Sequence, residues 1–266
     1  MTKRSEILRT PIVFLHIPKC GGSAVDTAIR DAYGVGLGGR VNPLAARSAA
    51  QLLLCLPYPQ LFFTTYPRYQ EFLLLFHIES GYQCVSGHLP VTRLVLEHAS
   101  STHAFITVLR DPVERWMSHY IFNKLNFADE LVLPSAGYAG PAEEELETVL
   151  DSWRGLQLGH MMTTMLTGRC PESAHIDAAV EEAIRNLKDF RLVGFLDALP
   201  EFARRFESVF SVGLRFSHVN RTEDSARDKS EYISLKALFT DDVRRRVADL
   251  CSADYRVYRA AQSLFR

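Results

Sequence analysis

The sequence predicts an open α/β fold: a parallel sheet with helices packed against it. Three observations lead there. Apolar runs of strand length alternate with helix-compatible segments along all 266 residues. The runs around Val13, Ile106 and Val193 are almost continuously apolar, as parallel strands covered on both faces require. The first run passes through a tight glycine turn straight into a helix-compatible segment, a geometry that aims free backbone N–H groups and a helix dipole at one point.

Each element follows in order. Residues 11–17, PIVFLHI, make the first strand, and residues 23–33, SAVDTAIRDAY, the first helix. Residues 42–78 carry several prolines and aromatics, PYPQLFFTTYPRYQ among them, and read as an insertion. Strands follow at 82–86 and 104–109, with a helix at 91–98 between them. Residues 112–125 read as a helix that Pro112 opens, a position where its missing N–H costs nothing. Val113, Trp116, Met117, Tyr120 and Ile121 fall at i, i+3, i+4, i+7 and i+8 and form its buried stripe. Residues 128–141 read as a loop. Helices at 143–154, 175–187, 200–210 and 241–265 and strands at 191–195 and 215–219 complete one domain spanning 1–266. Ligands in such sheets bind outside the carboxyl ends of the strands, so the loops after the first strand, after Ser86 and after Leu109 face one another.

Composition narrows the function. Hydrophobic residues make up 47% and charged residues 23%, ordinary for a globular protein. A net charge of −1 carries no basic excess for nucleic acid, although 30 Lys and Arg leave room for a local basic groove. The apolar stretches 52–56 and 72–78 are too short to span a bilayer, so no membrane span is expected. The N-terminal apolar run reads as a core strand rather than a signal peptide. Five dispersed cysteines, Cys20, Cys55, Cys84, Cys170 and Cys251, form no CxxC, which points to reduced thiols in the cytoplasm and to no metal site.

Residues 14–24, FLHIPKCGGSA, hold the glycine turn, and Lys19 adds a full positive charge to it. The turn is not a Walker A sequence, which needs GxxxxGK followed by Ser or Thr, because here Lys19 precedes Gly21 and Gly22 and Ser23 follows. It is not a phosphatase loop either: CxxxxxR is required, and Asp26 stands six residues after Cys20. A second strand-to-helix junction reads VLRDPVERWMSHY, residues 108–120, with Arg110 at the strand tip and Ser118 two turns into the helix. An arginine fork donates two hydrogen bonds to a phosphate. Asp111 reads as a helix cap or a group that orients Arg110, and Arg115 as a surface ion pair. The third element is VSGHLP, residues 85–90, which sets His88 at another strand end. His16 reads as buried structure.

HIPKxGGS followed about 90 residues later by VLRDPxxRxxSxY resembles the sulfotransferases that use 3′-phosphoadenosine 5′-phosphosulfate (PAPS), in the carbohydrate branch that includes the heparan sulfate 2-O and chondroitin enzymes. The resemblance implies a P-loop-like three-layer α/β/α fold with a central parallel sheet. It also implies a reaction: a sulfuryl group moves from PAPS to the hydroxyl of a carbohydrate, lipid or small-molecule acceptor, leaving adenosine 3′,5′-bisphosphate (PAP), with no metal. On that reading Lys19, Cys20, Gly21, Gly22, Ser23 and Ala24 hold the 5′-phosphate, and Arg110 and Ser118 the 3′-phosphate. Lys19 also assists the leaving phosphate, and His88 is the base that takes the acceptor proton. A carboxylate base stays open, with Glu79 nearest in sequence. Arg221, Arg227 and Lys229 lie where relatives close a loop over the nucleotide. Residues 158–168, LGHMMTTMLTG, depart from the family pattern at His160, Met162 and Thr164, so acceptor recognition does not carry over there. The aromatic-rich segment 58–76 offers a wall for an apolar alcohol, a phenol or a lipid. Two rivals remain open at this point: a P-loop-type kinase, and a nucleotide-binding protein without catalysis.

Overall fold

The computed structural model describes residues 9–54, 60–126, 145–216 and 229–266. Four strands, β1 (Ile12–Leu15), β2 (Cys84–Gly87), β3 (Ala104–Leu109) and β4 (Leu192–Phe195), form one all-parallel sheet in the order β2-β1-β3-β4. The helices in chain order are α1 (Gly22–Tyr33), α2 (Pro43–Leu54), α3 (Gln60–Glu79), α4 (Arg93–Ala99), α5 (Pro112–Asn126), α6 (Leu146–Leu150) and α7 (Trp153–Gly159). They continue with α8 (Met161–Thr167), α9 (Ile176–Leu187), α10 (Leu199–Phe210), α11 (Lys229–Ala237), α12 (Asp241–Leu250) and α13 (Ser252–Phe265).

Strand side chains alternate between the two faces of the sheet, and both faces are buried. Ile12, Phe14, Ile106, Val108 and Leu192 point one way and pack on Val25 and Ile29 of α1 and Phe202 and Phe206 of α10. Val13, Leu15, Phe105, Leu109 and Val193 point the other way and pack on α4, α8, α9 and α13. This is the reason the strands read as unbroken apolar runs. The layering is that of a helix–sheet–helix α/β fold. A third apolar cluster, around Trp116, Val149, Leu158 and Val247, joins α5, α6, α7 and α12 beside the sheet.

Local chemistry sets the helix ends that matter for the site. Asp111 Oδ1 accepts from the N–H groups of Val113 and Glu114 at 3.0 and 3.1 Å, so Asp111 caps α5. Thr92 and Thr240 cap α4 and α12 in the same way. Asp254, fully buried on α13, accepts from Met162 N, Thr163 N and Thr163 Oγ1 and so fixes the start of α8.

Several boundaries differ from expectation. Residues 42–78 hold two helices, α2 and α3. The helix expected at 241–265 breaks at Cys251, whose thiol donates to Pro112 O at 3.6 Å. Val243 and Val247 before the break join the third cluster, while Val257 and Ala261 after it join the sheet face, and one straight rod reaches only one of them. Positions 151–152 divide the helix expected at 143–154 into α6 and α7, and the Ser152 hydroxyl accepts from Arg154 N at 3.2 Å. Arg215 and Phe216 carry no strand, and the rest of 215–219, like the loop at 128–141, lies outside the described residues. Among the described residues no helix is long and apolar enough to cross a membrane.

Candidate functional site

Parallel pairing puts Leu15 opposite both Gly87 and Thr107, so the chain leaves β1 and β2 side by side. His16 N donates to Gly87 O at 3.1 Å, and Thr107 Oγ1 donates to Leu15 O at 2.8 Å, which ties the three strand ends together. Here the loops after β1, β2 and β3 surround a cavity of about 1040 Å³. It is lined by Lys19, Gly21–Ala24, His16, His88, Arg110 and Ser118, among others.

The loop after β1 turns tightly. Cys20 N donates to Ile17 O at 3.3 Å, and both Lys19 (φ 66°) and Gly21 (φ 75°) are left-handed. α1 starts at Gly22, and its first backward bond is Val25 N to Gly21 O at 3.4 Å. The N–H groups of Gly22, Ser23 and Ala24 therefore have no hydrogen-bond partner among the described residues. The first turn carries no acidic residue, so the positive end of the helix dipole is left for an anion.

The cationic groups gather at the same place. Lys19 Nζ stands 3.8 Å from the centre of the Phe122 ring. Burial, then the neighbouring Arg110 charge, lowers its pKa to about 8. Arg110 Nη1 donates to Lys19 O at 3.3 Å, and its Nη2 lies 3.8 Å from Glu114. Burial lowers the Arg110 pKa as well. Ser118 is buried on the α5 face toward the cavity. Lys236 of α11 also lines the cavity, as does Arg47 of α2, which lies near Tyr66 rather than in this cluster. Glu114 is the one carboxylate among the described lining residues.

Three histidines face this cluster. The His16 and His88 rings meet edge to face at 4.6 Å. His88 is half-buried, and its backbone carbonyl accepts from Gln70 Nε2 of α3. Burial, then His16, Lys19 and Arg40, pushes the His88 pKa well below the usual imidazole range. His16 is lowered to about 4, first by burial and then by Arg40 and Lys19. His119 on α5 is held low by burial and by Arg115, whose Nη1 lies 3.4 Å from its Nδ1.

The structure places Lys19, Gly21, Gly22, Ser23, Ala24, Arg110, Ser118 and His88 around one cavity. Four residues differ from expectation. The Cys20 side chain is buried in the core, its N–H is engaged by Ile17, and burial raises its thiol pKa to about 12. Lys229 is an exposed residue at the start of α11 and does not line the cavity, whereas Lys236, two turns on, does. Arg115 is not a surface ion pair: it is fully buried and donates to Leu158 O. Glu79 is exposed, bonds His98 Nε2 at 2.6 Å and does not line the cavity. Arg221 and Arg227 lie outside the described residues.

Two histidines outside the expected site residues also line the cavity. His16, which reads as buried structure in the sequence, lines the cavity and touches His88. The signal was its position directly before the loop. His119 follows Ser118 in the second motif, off the apolar stripe, and lines the cavity. The segment 42–78 supplies a wall of the cavity through Pro43, Leu44 and Arg47 and, from the aromatic-rich stretch expected to offer one, Tyr66, Pro67 and Gln70.

No protein-family model matches this chain, and no curated protein matches it significantly. Among the described residues no group of three His, Cys, Asp or Glu side chains is placed to hold a metal ion.

Proposed function

We propose that the protein is a sulfotransferase that moves a sulfuryl group from PAPS to an acceptor hydroxyl. The frame would be a P-loop-like three-layer α/β/α domain. The observation that carries this reading is the meeting of Lys19 and Arg110, 91 residues apart in sequence, at the open N-terminus of α1. Two phosphates of one nucleotide match two such groups.

In the proposed reaction the N–H groups of Gly22, Ser23 and Ala24 and the Ser23 hydroxyl hold the 5′-phosphate. Arg110 and Ser118 hold the 3′-phosphate. The acceptor oxygen attacks sulfur and gives its proton to the His88 imidazole. The bond from sulfur to the bridging phosphate oxygen breaks, and Lys19 donates to that oxygen as it leaves. The products are PAP and a sulfate ester. His88 starts neutral at neutral pH, as a base must, and a bound polyanion raises its pKa toward the working range. Catalysis is then positioning plus charge stabilisation. A sulfuryl group carries less charge than a phosphoryl group, which lowers the need for a divalent cation. The free thiols Cys20, Cys84, Cys170 and Cys251 suit a reducing compartment such as the cytoplasm.

The test is a thermal-shift titration with PAP and, separately, with ATP and Mg²⁺. Stabilisation by PAP alone, worth about 2.7 kcal/mol at a hundredfold excess over Kd, is expected. Preference for ATP and Mg²⁺ would instead make the protein a kinase, and no shift with either would make it a non-catalytic protein.

A further inference from the structure

The elements around the cavity differ in charge. The loop after β1, the end of β3 and α11 contribute Lys19, Arg110 and Lys236, two of which the proposed reaction assigns to the nucleotide. The wall beside His88 is different in kind. α3 reaches His88 through Gln70, and α8 lies against the next residues, because Val91 N donates to Met165 O at 2.9 Å. Together with α2, these helices present Leu44, Pro67, Met161 and Met165 to the cavity.

The polar groups on that wall are already engaged with the protein. Thr164 Oγ1 donates to His160 O at 2.7 Å. The Gln70 amide serves the His88 carbonyl and the Tyr66 phenol. Arg47, the one cation of this wall among the described residues, faces Tyr66. A sulfated or carboxylated glycan needs several cations along its length, which this wall does not provide. A neutral sugar needs a partner for each hydroxyl it desolvates, and this wall offers few, since the Thr164 proton and Gln70 Nε2 already serve backbone carbonyls. Apolar carbon and methionine thioethers remain, a surface that adapts to rings and alkyl chains.

We infer that the acceptor is an uncharged, largely apolar molecule carrying one reactive hydroxyl, a phenol or a fatty alcohol, lodged between α3 and α8 with its oxygen at His88. This rests on the sulfuryl-transfer reading above, and the test separates the two.

Intact protein is titrated with PAP by calorimetry. The PAP-saturated protein is then titrated with 2-naphthol, 1-decanol and a chondroitin tetrasaccharide, and each is assayed as acceptor with labelled PAPS. Binding and sulfation of 2-naphthol or 1-decanol, and not of the tetrasaccharide, is the expected result. Met161→Arg, at a part-exposed position, is expected to lower affinity for the apolar probes about tenfold while PAP affinity stays within about twofold. Preferred turnover of the tetrasaccharide overturns the acceptor assignment and leaves sulfuryl transfer standing. Apolar binding that Met161→Arg removes, without any PAP binding, keeps the apolar site and overturns the transfer reaction. Failure of both apolar probes to bind PAP-loaded protein overturns the inference.

Discussion

The His16 ring meets the edge of the His88 ring at 4.6 Å, and both imidazoles are held neutral by burial and by the cations around them. The pair therefore links the base of the proposed reaction to the glycine turn, whose Lys19 stands three residues after His16. His16 has an unfolded pKa near 6.5 and a folded pKa near 4, so between these values the unfolded chain binds more protons. His88 and His119 act in the same direction. The contribution of these histidines to stability is expected to be present above about pH 6.5 and to be lost as the pH drops toward 4. Urea midpoints at pH 7.5, 6, 5 and 4.5 check this. His16→Asn should flatten the slope, and an unchanged slope would show that His16 titrates normally.

Removing the imidazole at His88 tests the base directly. His88→Ala is expected to lower kcat by roughly 10²–10⁴. The Gln70 bond goes to the backbone carbonyl of residue 88, so the wall stays in place. PAP affinity should be preserved, and full activity in this variant would transfer the base role to His119 or to another group.

Arg110 should discriminate between nucleotides. Arg110→Ala is expected to weaken PAP binding by about 1.5–3 kcal/mol, the value of a charged hydrogen bond. Adenosine 5′-phosphate, which lacks the 3′-phosphate, should lose far less. Equal losses by calorimetry would mean that Arg110 supports the loop through Lys19 O rather than gripping a phosphate.

Gly22 tests how closely the loop and the histidines are packed. A Cβ at this position would stand 2.0 Å from His16 Cδ2. The ring cannot retreat freely, since it stacks on Phe14 at 5.8 Å and touches His88. Helix propensity favours alanine by about 1 kcal/mol, but overpacking costs about 1–3 kcal/mol. Gly22→Ala is therefore expected to lower both the urea midpoint and kcat. A stabilised variant with normal kcat would show that His16 moves aside without consequence.

The parallel strands were legible because burial on both faces leaves an unbroken apolar run, and Asp111 was legible as a cap from its place before Pro112. The helical form of the cavity wall at 60–79 was not. That helix buries Leu74 and Ile78 yet exposes Phe72 and Phe76 and contains Pro67, so no single apolar stripe announces it. The break at Cys251 was hidden because the pattern over 241–265 stays helical throughout, and the break depends on which cluster each half meets. Arg115 read as a surface residue because its partner, the carbonyl of Leu158, is 43 residues away and carries no side-chain signature.

Lys19 holds a left-handed backbone conformation, at φ 66°, which glycine adopts freely and a side-chain-bearing residue adopts at a cost of about 1 kcal/mol. The position thus sets durability against reactivity. A population of this gene selected for heat resistance alone would drift toward glycine here, gaining a firmer fold and losing the ammonium group that faces Arg110 and the cavity. On the proposed reading, lysine at this turn is kept for what it does to a ligand.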